Sequence, residues 1–417
     1  MNDARNLFWK IFFLGCFLIT ELSGEEESQK PPLPTLSESE YVHFQMLVDG
    51  NNRFGFDLYQ HMKNQPGNLF YSPYSIVTGL GMVSIGAKGE TARQFQHAFR
   101  YTLPLLLFIG DLNESLQKGS YSKEVAQVLL ANALWVDKSI KVLPSFTQTF
   151  LRDFRDPLQQ VDFRDNLSAT IQQINQWVLK QTKGKINHML LAQDVPANAK
   201  MILTTAAYVK GKWGSPFDRA LTKRLPFQIT SQRTLLTEMM HQTSHYSIFK
   251  GEQWDILAIP FEQGEEGAQL AMVILLPKKD ISISLLEKNL TWDNWKQWKG
   301  QLHREWVSLG LPSFRIDKRL DLDTLLKGIG FTAVYNSEAN FSGMTGEKDV
   351  YLNAVIHKTS IKIDEKGADI STVNSKSQTS IAEEKAPYLF IADRPFVFMI
   401  WDQKTDSILF MGRLAMP

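Results

Sequence analysis

The chain has 417 residues, of which 43% are hydrophobic and 21% are charged, a balance that indicates a packed core and excludes a disordered protein. Its formal net charge of +1 argues against bulk electrostatic capture of nucleic acid or of an acidic membrane surface. Length alone permits about two or three domains. No linker or internal repeat interrupts the sequence after residue 45, so one domain is predicted over residues 46–417.

The N-terminus has the pattern of an export signal. Arg5 and Lys10 precede an apolar run, Ile11–Thr20. This run is too short to cross a bilayer and has the length of the central region of a signal peptide. Gly24 ends a tolerable cleavage site. We therefore expect residues 1–24 to be a signal peptide and the polar residues 25–45 to be a flexible lead-in.

The predicted signal contains the chain's only cysteine, Cys16, so cleavage leaves a mature chain without a thiol. Phe13–Cys16 also resembles a bacterial lipoprotein box, in which Cys16 would stay and anchor the chain to a membrane. The expected location is therefore extracellular, or periplasmic or lipid-anchored in a bacterium. Asn113, Asn166 and Asn289 begin sequons that accept glycans only on a eukaryotic secretory route.

Helical patterns dominate the first half of the chain. Phe54–Met62 has helical spacing, and the apolar, glycine-bearing segment Ser75–Ala87 indicates a buried helix. Ile171–Lys183 is amphipathic, and Gly184 directly after it is a typical helix stop.

Strand patterns dominate the second half. Leu270–Pro277 is a continuous apolar run typical of a buried strand, while Trp306–Pro312 and Thr359–Ile363 alternate. Phe396–Trp401 and Ile408–Leu414 are predicted to end the chain as core strands. Helices and strands follow one another irregularly, so the predicted fold class is α+β.

Ser371–Ser380 interrupts these late strands with a polar segment in which Val373 is the only apolar residue. Structureless loops longer than about 15 residues are uncommon within a compact domain and are usually functional or disordered. Both interpretations, a functional loop and a disordered insertion, are compatible with the composition.

No catalytic or metal-binding motif is present. The sequence has no His-Glu-x-x-His, Cys-x-x-Cys, Gly-x-Ser-x-Gly or Walker pattern. Gly79, Gly81 and Gly86 have the wrong spacing for a dinucleotide loop and indicate close helix packing instead. His357 lies alone in an apolar strand, where a structural role is usual. We therefore predict no enzyme activity, no catalytic residue, no metal and no cofactor.

Short segments along most of the chain together resemble the serpin family of serine protease inhibitors. Each is weak alone, but they occur in the family's order. They are Asn68–Ile76, Asn132–Trp135, Ile174–Val178, Thr182–Ile186, Tyr208–Trp213 with Phe217, Asn340–Met344, His357–Lys358, Ile363–Ala368, Arg394–Phe398 and Phe410–Arg413.

The resemblance implies one domain with three β-sheets, about eight or nine helices, and an exposed reactive loop over about residues 365–394. In that family a protease cleaves the loop as a substrate, and the loop then inserts into the large sheet as an extra strand while the acyl-enzyme survives. Gly367–Thr379 contains no proline, as an inserting strand requires. The implied hinge consists of Glu365, Lys366, Gly367, Ala368, Asp369, Ile370, Ser371, Thr372 and Val373.

The hinge departs from the family at Ile370–Val373, where inhibitory members usually have alanines and other small residues. Overpacking costs about 1–3 kcal/mol, and each ~1.4 kcal/mol in the insertion barrier slows insertion tenfold. Because inhibition is a race against hydrolysis, a second reading remains open: a non-inhibitory carrier or chaperone whose loop is cleaved without trapping.

Further matches concern the opening of the sheet. Trp213 matches a family tryptophan at the end of the large sheet where insertion begins. A role in core packing alone would explain this tryptophan equally well. Ser75 and His357 match a gating cluster, and Thr205 stands where the family typically has asparagine. Threonine lacks the amide donor, so a rearranged network is expected.

Counting from Glu365 places the scissile bond at Ile381–Ala382, which suits an elastase-like protease with a small apolar pocket. Lys385–Ala386 would instead attract a trypsin-like protease. The expected partner is thus a serine protease, and a monomer is expected.

Overall fold

The structure, a computed structural model, describes residues 37–100, 108–117, 126–155, 158–263, 268–348, 350–368 and 386–417. Within these ranges it contains nine helices of seven or more residues and one four-residue turn, α10. They are α1 (Glu38–Met62), α2 (Pro73–Ser84), α3 (Gly89–Phe99), α4 (Phe108–Gln117), α5 (Pro144–Phe154), α6 (Leu167–Gln181), α7 (Ile283–Asn289), α8 (Trp292–Lys299), α9 (Asp323–Ile329) and α10 (Ser342–Thr345).

The strands of the described residues alternate irregularly with these helices, as an α+β fold requires. They are β1 (Leu69–Tyr71), β2 (Gln127–Asp137), β3 (Gln159–Val161), β4 (Met201–Lys212), β5 (Lys223–Thr230), β6 (Arg233–Lys250), β7 (Trp254–Pro260), β8 (Leu270–Pro277), β9 (His303–Pro312), β10 (Phe314–Asp321), β11 (Ala354–Asp364), β12 (Gly367–Ala368), β13 (Tyr388–Ile391), β14 (Phe396–Asp402) and β15 (Ser407–Leu414).

Hydrogen bonding joins the strands into a six-stranded sheet, β10-β11-β12-β4-β2-β3, and a nine-stranded network, β1-β15-β14-β8-β7-β6-β9-β13 with β5 beside β6. Strand β6 is 18 residues long and belongs to two parts of this network. Its residues 247–250 pair with β7, whereas residues 233–239 pair with β5. The three predicted sheets are therefore the six-stranded sheet and the two parts that β6 joins.

The predicted helices are present with shifted ends. All residues of α2 are buried, as its apolar sequence predicts, although it ends at Ser84 and not at Ala87. Gly184 has a φ of +80° just after α6, which confirms the predicted helix stop. Helix α1 starts at Glu38, inside the stretch assigned to the lead-in, because Ser37 and Glu40 form a capping box there.

The predicted strands are also present. Strand β8 has the predicted bounds, and β11 is longer than predicted because its pattern continues back to Ala354. Ile361 and Ile363 are both buried, as their shared face requires. No described helix has the length and apolarity needed to cross a membrane.

The C-terminal strand is held in the core by a buried ion pair. The Arg413 guanidinium donates to the Glu287 carboxylate at 2.8 Å, and to the carbonyls of Lys63 and Gly67. The same carboxylate accepts a hydrogen bond from the Tyr59 hydroxyl. Since buried charges are tolerated only when they are paired and hydrogen-bonded, this network fixes β15 against α1 and α7.

One face of the six-stranded sheet is covered by α6. Ile174 and Val178 of this helix belong to the same buried cluster as Trp135 on β2 and Tyr208 on β4. The apolar stripe of α6 therefore faces the sheet, and its polar residues face outward.

Candidate functional site

The six-stranded sheet has a gap that is filled by the first residues of the predicted hinge. Strands β11 and β4 pair directly and in parallel from Ala354–Ile202 to Ser360–Tyr208. Beyond that point β12 lies between them and pairs antiparallel with both, so that Ala368 faces Ile363 on one side and Gly211 on the other. The site is thus a place where two parallel strands separate to admit a third.

Gly367 is required at this position. Its φ is +140°, which L side chains rarely adopt, and a Cβ there would overlap the Gly211 carbonyl oxygen and lie 2.8 Å from the Lys212 Cα. The backbones of β12 and β4 can approach each other only because this residue has no side chain. Ala368, the next residue, is fully buried.

Trp213 lies at the end of β4 and holds the turn that leads into β12. Its indole Nε1–H donates to the Asp364 carbonyl at 2.9 Å, and its backbone N–H donates to the Lys366 carbonyl at 3.0 Å. Its ring stacks on Phe261 with 4.8 Å between centroids. The structure therefore places Trp213 where the strands separate, and its part in insertion stays a prediction.

Glu365 is buried at the same turn. Its carboxylate accepts hydrogen bonds from the Thr222 hydroxyl at 2.9 Å and the Arg219 guanidinium at 3.2 Å, and its carbonyl accepts the Phe217 N–H. Arg219 and Thr222 were not predicted from the sequence, because residues 218–222 contain no motif. Only the nearby Phe217 marked this segment.

Both ends of the predicted exposed loop over residues 365–394 belong to sheets in the described part of the chain. Tyr388–Ile391 forms β13, which pairs in parallel with β9. The Tyr388 hydroxyl donates to the Asp255 carboxylate at 2.8 Å, which also accepts from Lys278 at 2.7 Å. The apolar Tyr388-Leu-Phe-Ile run was the signal for this strand, and it was overlooked.

Residues 369–385 lie outside the described residues. They include Asp369, Ile370, Ser371, Thr372 and Val373 of the hinge, the bond Ile381–Ala382, and Lys385. Their roles stay predictions.

A second cluster lies on the paired part of β11 and β4. His357 is fully buried, and its Nε2 accepts a hydrogen bond from the Ser72 N–H at 3.0 Å. The proton of the neutral ring is therefore on Nδ1, which lies 2.9 Å from the Thr205 hydroxyl and 3.1 Å from the Thr205 carbonyl oxygen. Burial lowers the pKa of His357 to about 3, so the ring is neutral. The structure thus brings His357 and Thr205 together. Their part in opening the sheet stays a prediction.

Ser75 joins this cluster through a residue that was not assigned to it. The Ser75 hydroxyl donates to Asn132 Oδ1 at 2.7 Å, and Asn132 on β2 lies directly opposite Thr205 on β4. The neighbouring strand therefore supplies an acceptor for Ser75 through the amide oxygen of Asn132, and not the donor that Thr205 lacks. Sequence alone could not show this, because the register between β2 and β4 brings the two residues together.

Gly79 explains how Thr205 fits. A Cβ on Gly79 would overlap the Thr205 methyl group and lie 3.3 Å from a Leu203 methyl. The prediction that this glycine serves close helix packing is therefore confirmed: α2 lies directly on β4 at the gating cluster.

What the described residues of the site offer is strand pairing. Within the described ranges, no three His, Cys, Asp or Glu side chains are grouped so that they could hold a metal ion. What the arrangement can do is accept an extended segment between β11 and β4, beginning from β12.

Comparisons with known proteins agree with this geometry. A family model described as Serpin (serine protease inhibitor) matches residues 49–417. Serpin B8 of Bos taurus is 32% identical over 89% of this chain and 99% of its own length, and the leukocyte elastase inhibitor of Bos taurus is 32% identical over 89% and 100%. Human thyroxine-binding globulin, solved with thyroxine, is 27% identical, with a TM-score of 0.79 over 90% of this chain and 99% of that one. The chain therefore belongs to the serpin family, which is described by serine protease inhibition and not by a catalytic activity.

Proposed function

We propose that this serpin is a secreted inhibitor that traps a serine protease covalently, by inserting its cleaved loop between β11 and β4. The observation that carries the proposal is the pairing of Gly367 and Ala368 with both strands, since the insertion has its first residues in place.

Strand pairing supplies a driving force. The seven residue pairs from Ala354–Ile202 to Ser360–Tyr208 are parallel. A loop that continued β12 would be antiparallel to both neighbours, so insertion replaces one parallel pairing by two antiparallel ones. Antiparallel pairing is slightly more stable per residue, and each inserted residue adds hydrogen bonds to the ladder.

If the loop continued β12 in the same register, the positions of the bulky hinge residues would follow by counting. Gly367 and Ala368 lie opposite Lys212 and Gly211. Each further residue advances one position, which would place Thr372 beside Ala207 and Val373 beside Ala206. Alanine neighbours leave room for β-branched side chains, which reduces the overpacking expected at the hinge.

The same register would place Asn374 between Thr205 and His357, which already pair with each other. An asparagine would then bring an amide into the gating cluster at the position where Thr205 lacks one. Like the other inserting residues, Asn374 lies outside the described residues.

An elastase-like protease is the proposed target. Ile381 or Ala382 suits a small apolar pocket, and the leukocyte elastase inhibitors among the relatives support the same class. Cleavage at Lys385–Ala386 would indicate a trypsin-like target instead. Secretion is proposed from the signal-like residues 1–24, which precede the family match at residue 49.

A second candidate function is a carrier whose loop is cleaved without trapping. Two observations favour it: the bulky residues Ile370–Val373, and the similarity to thyroxine-binding globulin, whose structure contains thyroxine.

A denaturing gel separates the two candidates. The protein is mixed with pancreatic or leukocyte elastase and with trypsin, and fragment masses identify the cleaved bond. Inhibition predicts an SDS-stable complex, release of the fragment that begins at Ala382, and a large rise in the melting temperature of the cleaved protein. Cleavage without a complex and without that rise would refute inhibition and support the carrier. Protease with its nucleophilic serine blocked is the control and should form no complex.

A further inference from the structure

The three sequons of the chain lie in different environments, and this difference decides which one can carry a glycan. An N-linked glycan is attached to the side-chain amide nitrogen of asparagine, and the bulky, polar sugar must remain in solvent after folding. A sequon whose amide is engaged in the fold therefore conflicts with the folded state.

Asn289 is engaged. It ends α7, where its Nδ2 donates to the Leu285 carbonyl at 2.8 Å, and its own carbonyl accepts from Asn294 Nδ2 at 2.7 Å. Its neighbour Leu290 is fully buried. A glycan on this nitrogen would have to leave through the packed junction of α7 and α8.

Asn113 is also engaged. It lies within α4, and its Oδ1 accepts a hydrogen bond at 2.6 Å from the hydroxyl of Tyr74, a buried residue of α2. That bond ties the Asn113 side chain to α2, so a glycan on the same amide group would disturb a contact to a buried residue.

Asn166 differs from both. It is exposed at the N-cap of α6, yet its side chain makes no capping hydrogen bond, although asparagine is among the best capping residues. Arg164, Asp165 and Ser168 around it are also exposed. The buried residues of α6 are Thr170, Ile174 and Val178, on the face that packs against the protein.

We infer that Asn166 is the N-glycosylation site of this protein, and that Asn113 and Asn289 stay unmodified in the folded chain. The inference rests on the proposed secretory route. The glycan would stand at the outer end of α6, away from the turn at Trp213 and Glu365 where β12 enters the sheet.

The test uses the full chain with an established endoplasmic-reticulum signal added before Met1, so that entry into the secretory route does not depend on the chain's own leader. The protein is purified from eukaryotic cells, and its intact mass is measured before and after digestion with a peptide N-glycosidase. We expect one glycan in the wild type and in Asn113→Gln and Asn289→Gln, and complete loss of the mass decrease in Asn166→Gln and Ser168→Ala.

An unmodified wild-type protein, or a glycan that persists in Asn166→Gln, would overturn the inference. The protease-trapping gel is run on the same Asn166→Gln preparation, and trapping should be unchanged. The mass measurement tests the glycosylation site, and the gel tests protease trapping. A negative result in one measurement therefore does not decide the other. The chain without the added signal shows whether its own leader directs export.

Discussion

Acidification should weaken the fold through His357, and the size of the effect follows from its pKa. The neutral ring is held between the Ser72 N–H and Thr205. A proton on Nε2 would oppose the Ser72 N–H, and burial disfavours the charge. Burial lowers the pKa of His357 from 6.5 to about 3. Between these values the unfolded chain binds a proton that the folded chain refuses, so stability falls as the pH falls.

The magnitude is large enough to measure. Each pH unit below the unfolded pKa of 6.5 removes roughly 1.4 kcal/mol of unfolding free energy. Going from pH 7 to pH 5 should therefore cost about 2 kcal/mol through this one residue. His357→Gln removes the titration; its own cost, from altered hydrogen bonds, should not depend on pH.

Asp323 acts with the opposite sign, which makes the comparison between variants necessary. Burial raises the pKa of Asp323 to about 6, above its ordinary value of 3.8. As the pH falls from about 6 to 3.8, Asp323 binds a proton more readily in the folded chain than in the unfolded chain. Protonation of Asp323 therefore stabilises the fold and offsets part of the free energy of unfolding that is lost through His357. The pH curve of the wild type alone therefore does not isolate either residue.

Urea unfolding followed by tryptophan fluorescence at pH 7 and pH 5 provides the assay. The free-energy loss on acidification should be smaller in His357→Gln than in the wild type by about 2 kcal/mol. Asp323→Asn should enlarge the loss. Equal losses in the wild type and His357→Gln would refute the assignment of a neutral, proton-refusing ring at this site.

Two further predictions concern the inserting strand. Gly367→Ala should expel β12 from the sheet, because a Cβ there overlaps β4 and the left-handed φ adds about 1–3 kcal/mol of strain. Faster amide hydrogen exchange at Ala368 would report this loss of pairing. The control is Gly300→Ala, whose Cβ approaches nothing closer than 3.5 Å and which should leave the exchange rate at Ala368 unchanged. Asn374→Ala should lower the melting temperature of the cleaved, inserted form and leave the intact form unaffected. Ser377 is an odd number of residues from Asn374, so strand alternation would turn it to the opposite face on insertion. An equal effect of Asn374→Ala on both forms, or the same effect from Ser377→Ala, would contradict the proposed register.

The sequence predicted those elements whose signal is local. Strand β8 is a continuous apolar run with the predicted bounds, whereas α2 is an apolar segment whose presence was predicted but whose ends, Pro73 and Ser84, were not. The gating residues His357 and Thr205 followed from the family resemblance, and the structure brings them to 2.9 Å.

What the sequence did not predict depends on partners that are distant along the chain. Strand β12 has only two residues, too few for any periodicity, and it forms because β4 and β11 offer unpaired backbone groups on both sides. Asn132 joined the gating cluster through the β2–β4 register, and Arg219 joined Glu365 across the turn at Phe217. Such contacts are set by register and tertiary packing, which a single sequence does not display.

The substitution of Thr205 for asparagine then acquires a physical account. In the described structure Asn132 provides the carbonyl oxygen for Ser75, and the Thr205 methyl occupies the space that a Cβ on Gly79 would enter. A threonine and a glycine thus pack together where α2 meets the sheet. If insertion follows the β12 register, Asn374 restores an amide between Thr205 and His357. In a carrier that never inserts its loop, Asn374 would not reach that position, and Asn374→Ala would then leave the melting temperature of the cleaved form unchanged.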